Sequence, residues 1–157
     1  DYIEPKSVRD IMRNVTQVGV ITVTGAEPFR NLTGDSELDG MIAEKAGTED
    51  IVKGTVFEAR VLYSLAGEIE EGESVKIYCP AGDWGVELAE GKDYLVTLSE
   101  WGDSYKLTRD MNSVFDIDGD FVITSQSSME FPAKFNGLSL ADAAYLLCNG
   151  FDEDYEL

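Results

Sequence analysis

Five aromatic side chains, three clustered carboxylates and two thiols are the residues of this sequence with chemistry to offer. Trp84 and Trp101 stand beside turn glycines, Gly82, Gly85 and Gly102, and Tyr78, Tyr94 and Tyr105 lie close to them in the chain. Aromatic rings at loop tips stack on sugars or fill a partner's pocket, so these five form the candidate ligand-binding set. The competing reading is that each indole plugs an end of the folded core. Asp116, Asp118 and Asp120 place three carboxylates within five residues. Hard cations such as Ca2+ take several oxygen ligands on a tight turn. An EF-hand loop has Gly at position 6 and Glu at position 12; counted from Asp116, Gly119 falls at position 4 and Ser127 at position 12. The loop pattern fails, so Asp118-Gly119 reads first as a hairpin turn and a Ca2+ site is the second reading.

Cys79 falls on a strand pattern and Cys148 on a helix pattern, both on apolar faces. In an exported protein they could pair as a disulfide, closing a loop of about 70 residues worth roughly 4 kcal/mol on the chain-entropy model. The alternative is two buried free thiols. The chain contains no His. That excludes a Ser-His-Asp triad, a Cys-His dyad and an imidazole zinc site, and it leaves neither Cys with an activating base. Carboxylate pairs could do general acid–base work. With 31 acids in 157 residues, however, any fold brings some pairs together. Glu68, Glu70, Glu71 and Glu73 read as a solvated turn.

Those acids face 12 bases, a net charge of −19 spread along the whole sequence. Such a chain repels phosphate backbones, which rules out nucleic-acid binding through a basic surface. The apolar share of 43% is that of a folded domain, and the length is enough to bury a core. No apolar run is long enough to span a membrane. Asp1 in first place, with no initiator Met, reads as a mature or trimmed form whose signal or anchor lies elsewhere.

The elements that must position these residues are mostly strands. Ser7 and Asp10 have capping-box spacing, and Val8, Ile11, Met12 and Val15 make one helical stripe. Residues 17–24 are β-branched and read as a strand. Residues 25–40, with Gly25, Pro28, Gly34 and Gly40, read as a loop, followed by a short helix over 38–46 stopped by Gly47. Residues 51–65 alternate as one long strand, with Phe57, Ala59, Val61, Tyr63 and Leu65 on its apolar face. Further strands are expected at 74–79, 86–88, 94–99, 105–108, 114–117 and 121–124. Ser139 and Asp142 cap a last helix with Leu140, Ala141, Ala144, Tyr145, Leu147 and Cys148 in its stripe, and Asn149-Gly150 ends it. Close-spaced strands with few helices predict a mainly β domain: a five- to six-stranded barrel with a short N-terminal helix and a C-terminal helix. Residues 1–49 would be a helix, strand and linker packed on a barrel of residues 50–157; a single domain over 1–157 is the alternative.

Three stretches carry a family resemblance: "DIVKGTVFEARVLYSLAGEIEEGESVKIYC", "VELAEGKDYLVTLSE" and "YKLTRDMNSVFDIDGDFV". Their order of strands and turns resembles the oligonucleotide/oligosaccharide-binding (OB) barrel of the netrin-like type, found in tissue inhibitors of metalloproteinases and in many exported bacterial proteins. The inhibitors' N-terminal Cys, which chelates the protease zinc, is Asp1 here, and their disulfide framework is absent. The resemblance therefore implies an exported or cell-envelope-associated, non-enzymatic module that binds a protein or a glycan. A carbohydrate-binding module using the loop aromatics is the alternative, and a carboxylate-based hydrolase a third reading.

Overall fold

The computed structural model describes residues 4–30, 37–38, 40–41, 44, 53–80, 86–119 and 121–149. Helix α1 (Val8–Met12) starts as its sequence predicts. Ser7 Oγ accepts from the Asp10 amide at 3.1 Å, and the Asp10 carboxylate accepts from the Lys6 amide at 2.9 Å. The first bond satisfies an amide that the first turn leaves without a helical partner, and the second ties the preceding residue to the helix. Seven strands follow: β1 (Gln17–Arg30), β2 (Lys53–Ala66), β3 (Ser74–Pro80), β4 (Asp93–Trp101), β5 (Ser104–Leu107), β6 (Val114–Asp118) and β7 (Val122–Ser125). The helices α2 (Glu130–Ala133) and α3 (Leu140–Asn149) end the described chain.

The sheet order is β1-β2-β3-β5-β4-β6-β7, and β1 also pairs with β4. That last pairing closes five strands into a barrel of the OB-like kind and leaves β6 and β7 as outer strands on β4. Two-stranded turns explain most of the order, but β3 and β5 meet in parallel, Ile77 opposite Tyr105 and Tyr78 opposite Lys106. Bulges bend the long strands enough to close the circle. Leu62 and Leu65 are extra residues on β2, between Val20↔Tyr63 and Ile21↔Val61 and between Val18↔Ala66 and Gly19↔Ser64; Thr24 is extra on β1.

The barrel wall separates two cores. Inside lie Ile21, Phe57, Ala59, Val61, Ile77, Val96 and Leu98 with their neighbours. Outside, Val18, Val20, Leu95 and Phe115 face away from the barrel and are covered by Ile11 and Met12 of α1, by Phe131 and Phe135, and by Ala143 and Leu147 of α3. Phe135 stacks obliquely on Phe115, with ring centroids 4.9 Å apart. Covering by two terminal helices explains why β4 is apolar on both faces.

Several expectations are corrected. Strand β1 runs on to Arg30, so Gly25–Arg30, read as loop, pair with Lys53–Glu58. Beyond Val23 the described residues give β1 no partner on its other edge, the kind of place where Pro28 fits without an N–H. Residues 86–88 form no strand, although Val86 and Leu88 are buried in the barrel core. Tyr63 and Leu65 are not interior: the bulge at Leu62 shifts the alternation, leaving them 49% and 36% exposed while Leu62 and Ala66 turn toward the outer core. The backbone is helical at Glu37, Leu38, Gly40, Met41 and Glu44; the stop expected at Gly47, like Gly150, lies outside the described residues. No helix among the described residues is long and apolar enough to cross a membrane.

Gln17 ties the end of β2 to the start of β1. Its buried amide donates to Val18 O and Ser64 Oγ, and its Oε1 accepts from the Ile69 amide at 3.1 Å. Gly67 turns beneath it at φ +104°, where a Cβ would meet Gln17 Oε1 and lie 2.6 Å from Thr16 O. Gly72, at φ +88°, faces open space. Gly72→Ala is expected to cost about 1 kcal/mol from backbone strain alone, and Gly67→Ala about 3 kcal/mol or more because overpacking adds to it. Equal losses in urea unfolding would show that the Gln17 clamp does not constrain this turn.

Candidate functional site

Strand geometry brings two of the five candidate aromatics, Tyr78 and Trp101, to one pocket and a third, Tyr105, to an adjoining groove. On β3, Ile77 and Cys79 point into the core, so Tyr78 between them points out. The parallel register sets Lys106 of β5 beside Tyr78. Trp101, at the end of β4, pairs with Ser104 across the tight turn at Gly102-Asp103. Tyr78, Trp101 and Lys106, with Pro80, Thr108 and Asp110, line a pocket of about 250 Å³. Tyr105 borders the adjoining polar groove, which also includes Tyr78, Glu73, Lys76 and Asp103. The remaining two aromatics do not join them. Tyr94 is 2% exposed in the barrel core, its hydroxyl accepting from the Ala89 amide at 2.8 Å, and Trp84 lies outside the described residues.

Charge inside this pocket is set by three groups. The Lys106 ammonium lies 4.5 Å from the centre of the Trp101 ring, within the range of a cation–π contact. Trp101 Nε1 is buried without a hydrogen-bond acceptor among the described residues. Asp110 adopts a left-handed backbone at φ +49°; burial pushes its carboxyl above the usual range against the opposing pull of Lys106. Burial also raises the Tyr105 phenol, helped by Glu100, Glu73 and Glu68, so it stays protonated as a donor. Lys106, Thr108 and Asp110 were not legible as site residues. For Lys106 the signal is the parallel β3–β5 pairing, which sets it beside Tyr78, distant in sequence.

The carboxylate run is otherwise occupied. Asp116 Oδ2 accepts from Lys92 Nζ at 2.8 Å and Oδ1 from Gln126 Nε2 at 2.6 Å. That bond, foremost among its surroundings, raises the Lys92 ammonium's pKa. Asp118 is exposed on the hairpin and Asp120 lies outside the described residues. Among the described residues no three His, Cys, Asp or Glu side chains are grouped to hold a metal ion. Of the two readings of the thiols, the structure has the unpaired one: Cys79 and Cys148 are free. The last helix does cover the barrel, but on its outside, so Cys148 borders the outer core while Cys79 lies in the inner one. Burial, with Asp110 nearby, pushes the Cys79 thiol up to about 12, and burial raises Cys148 as well. Neither is a ready nucleophile.

No family model matches the chain, and no curated protein matches it.

Two outcomes follow from these environments. Asp110's raised folded pKa means its stability contribution is present below the unfolded value and is lost as pH rises through the folded one. Asp110→Asn removes that loss, and Asn tolerates the left-handed backbone. The variant is expected to unfold at a higher temperature than the parent at pH 7, with the difference shrinking toward pH 3; a lower Tm at pH 7 would show the carboxylate to be stabilising. In a thiol titration of the folded protein at pH 8, Cys79 is expected to stay unmodified until denaturant is added. Rapid labelling of Cys79 would contradict its placement in the barrel core.

Proposed function

We propose that this chain is a non-catalytic binding domain and that the pocket between β3, β5 and the end of β4 receives a small hydroxyl-rich ligand, a neutral sugar residue being the class that fits. The observation that carries the reading is the meeting of Trp101 and Tyr78 with Lys106 and Asp110 around one pocket. Aromatic rings offer their faces to the C–H side of a sugar, and a donor–acceptor set around them takes its hydroxyls. A volume of about 250 Å³ suits one ring better than a drug-sized ligand. A polyanionic ligand would meet a net charge of −19. A hydrolase built on paired carboxylates finds no support in this pocket, whose described lining has Asp110 as its single carboxyl.

An exported or envelope-associated setting is part of the proposal. Its support is the likeness of the strand pattern to exported OB barrels.

The test is an array of neutral glycans, followed by calorimetric titration of whatever binds. Binding is expected, and Trp101→Ala is expected to weaken it by about ten-fold or more, roughly 1.4 kcal/mol, with the far-UV spectrum unchanged. A silent array, or binding indifferent to both Trp101→Ala and Lys106→Ala, would overturn the reading.

A further inference from the structure

Three of the large exposed apolar side chains share a second cavity that has no residue in common with the Trp101 pocket. It is a groove of about 430 Å³ between the end of β2, the β6–β7 turn and the start of α3. Tyr63, Leu65, Phe121, Leu140, Ala141 and Ala144 line it. Tyr63 and Phe121 are about half exposed, at 49% and 53%, so the groove is open along its length. Contiguous exposed apolar surface of this kind marks an interaction site on a folded protein.

Phe121 adds a second sign. Its backbone sits at φ +64°, a conformation that costs a bulky residue about 1–2 kcal/mol. Two backbone bonds hold it there: its N–H donates to Gly119 O at 2.8 Å, and its carbonyl accepts from the Leu140 amide at 2.7 Å. Folding gains little from a strained backbone that presents a ring to water, whereas a binding surface gains an anchor.

Charge selects the occupant. Two exposed acids stand next to the groove's lining residues, Asp118 on the β6–β7 hairpin that carries Phe121 and Asp142 between Ala141 and Ala144 on α3, and the lining itself contains neither Lys nor Arg. A second copy would bring the same acids, and another −19, onto this face. The chain's own last residues are also acidic, with Asp152, Glu153, Asp154 and Glu156. We infer that the groove docks a partner protein through a short apolar segment flanked by Lys or Arg. The apolar side chains of that segment fill the groove beside Phe121 and Leu65, and its flanking cations meet Asp118 and Asp142.

The experiment is a fluorescence-anisotropy titration of the full chain with two labelled synthetic peptides. Both have the same centre of leucine and phenylalanine; one is flanked by lysine pairs and its twin by glutamate pairs. The lysine-flanked peptide is expected to bind at least about ten-fold tighter than its twin and to weaken as salt is raised from about 0.05 to about 0.5 M. Phe121→Ser and, separately, Leu65→Ser are each expected to lower that affinity about ten-fold, while Trp101→Ala leaves it unchanged. No binding, equal binding of the two peptides, or binding indifferent to both groove variants overturns the inference. So does self-association that Phe121→Ser abolishes, which would assign the groove to a second copy. Peptide binding that appears only after residues 151–157 are removed overturns it too, in favour of the chain's own terminus.

Discussion

Strand β4 has no solvent side over most of its length, and the rest of the structure is arranged around that fact. Leu95, Val96, Thr97 and Leu98 are each at most 1% exposed. Along one edge β4 pairs with β1; along the other it pairs with β6 through its first half and with β5 through its second. One face fills the barrel and the other lies under the helices. A strand buried this way satisfies its backbone only through neighbouring strands, so closing the barrel and adding β6 are both conditions of its burial. The transfer of so much apolar surface from water is the main favourable contribution to this fold.

The two surfaces with binding character are consequences of how the barrel departs from regularity. On one side, β3 and β5 run parallel, and their outward residues, Tyr78 and Lys106, frame the Trp101 pocket. On the other, the bulge at Leu62 changes which residues of β2 face outward, exposing Tyr63 and Leu65 beside α3. Bulges re-aim side chains as well as bending strands, and here the same irregularity that helps close the barrel also leaves an apolar groove.

Local signals were legible in the sequence. The Ser7 and Ser139 hydroxyls accept as spacing predicted, Ser139 Oγ taking the Asp142 amide at 3.1 Å. The alternation through Phe57, Ala59 and Val61 gave the barrel interior, and strand order in a mainly β chain gave the fold class. Signals that depend on a partner were not legible. Gly25 and Pro28 read as loop because nothing local reveals the pairing with β2. Tyr94 read as a surface aromatic because neighbours on β4 are apolar on both faces, which removes the alternation that would have placed it inside. Cys79 and Cys148 both lay on apolar faces, yet a sequence cannot say that those faces belong to different cores. Lys106 meets Tyr78 through the parallel pairing, which no local signal reveals.

If β4 is the shared wall, its amides should open only when everything opens. Native-state hydrogen exchange across residues 94–98 and 17–22 measures this directly, because local and global openings differ in free energy. The expected result is that both groups exchange at the free energy of global unfolding. Exchange of the β4 amides at a markedly lower free energy, while those pairing β2 with β3 stay protected, would contradict the account.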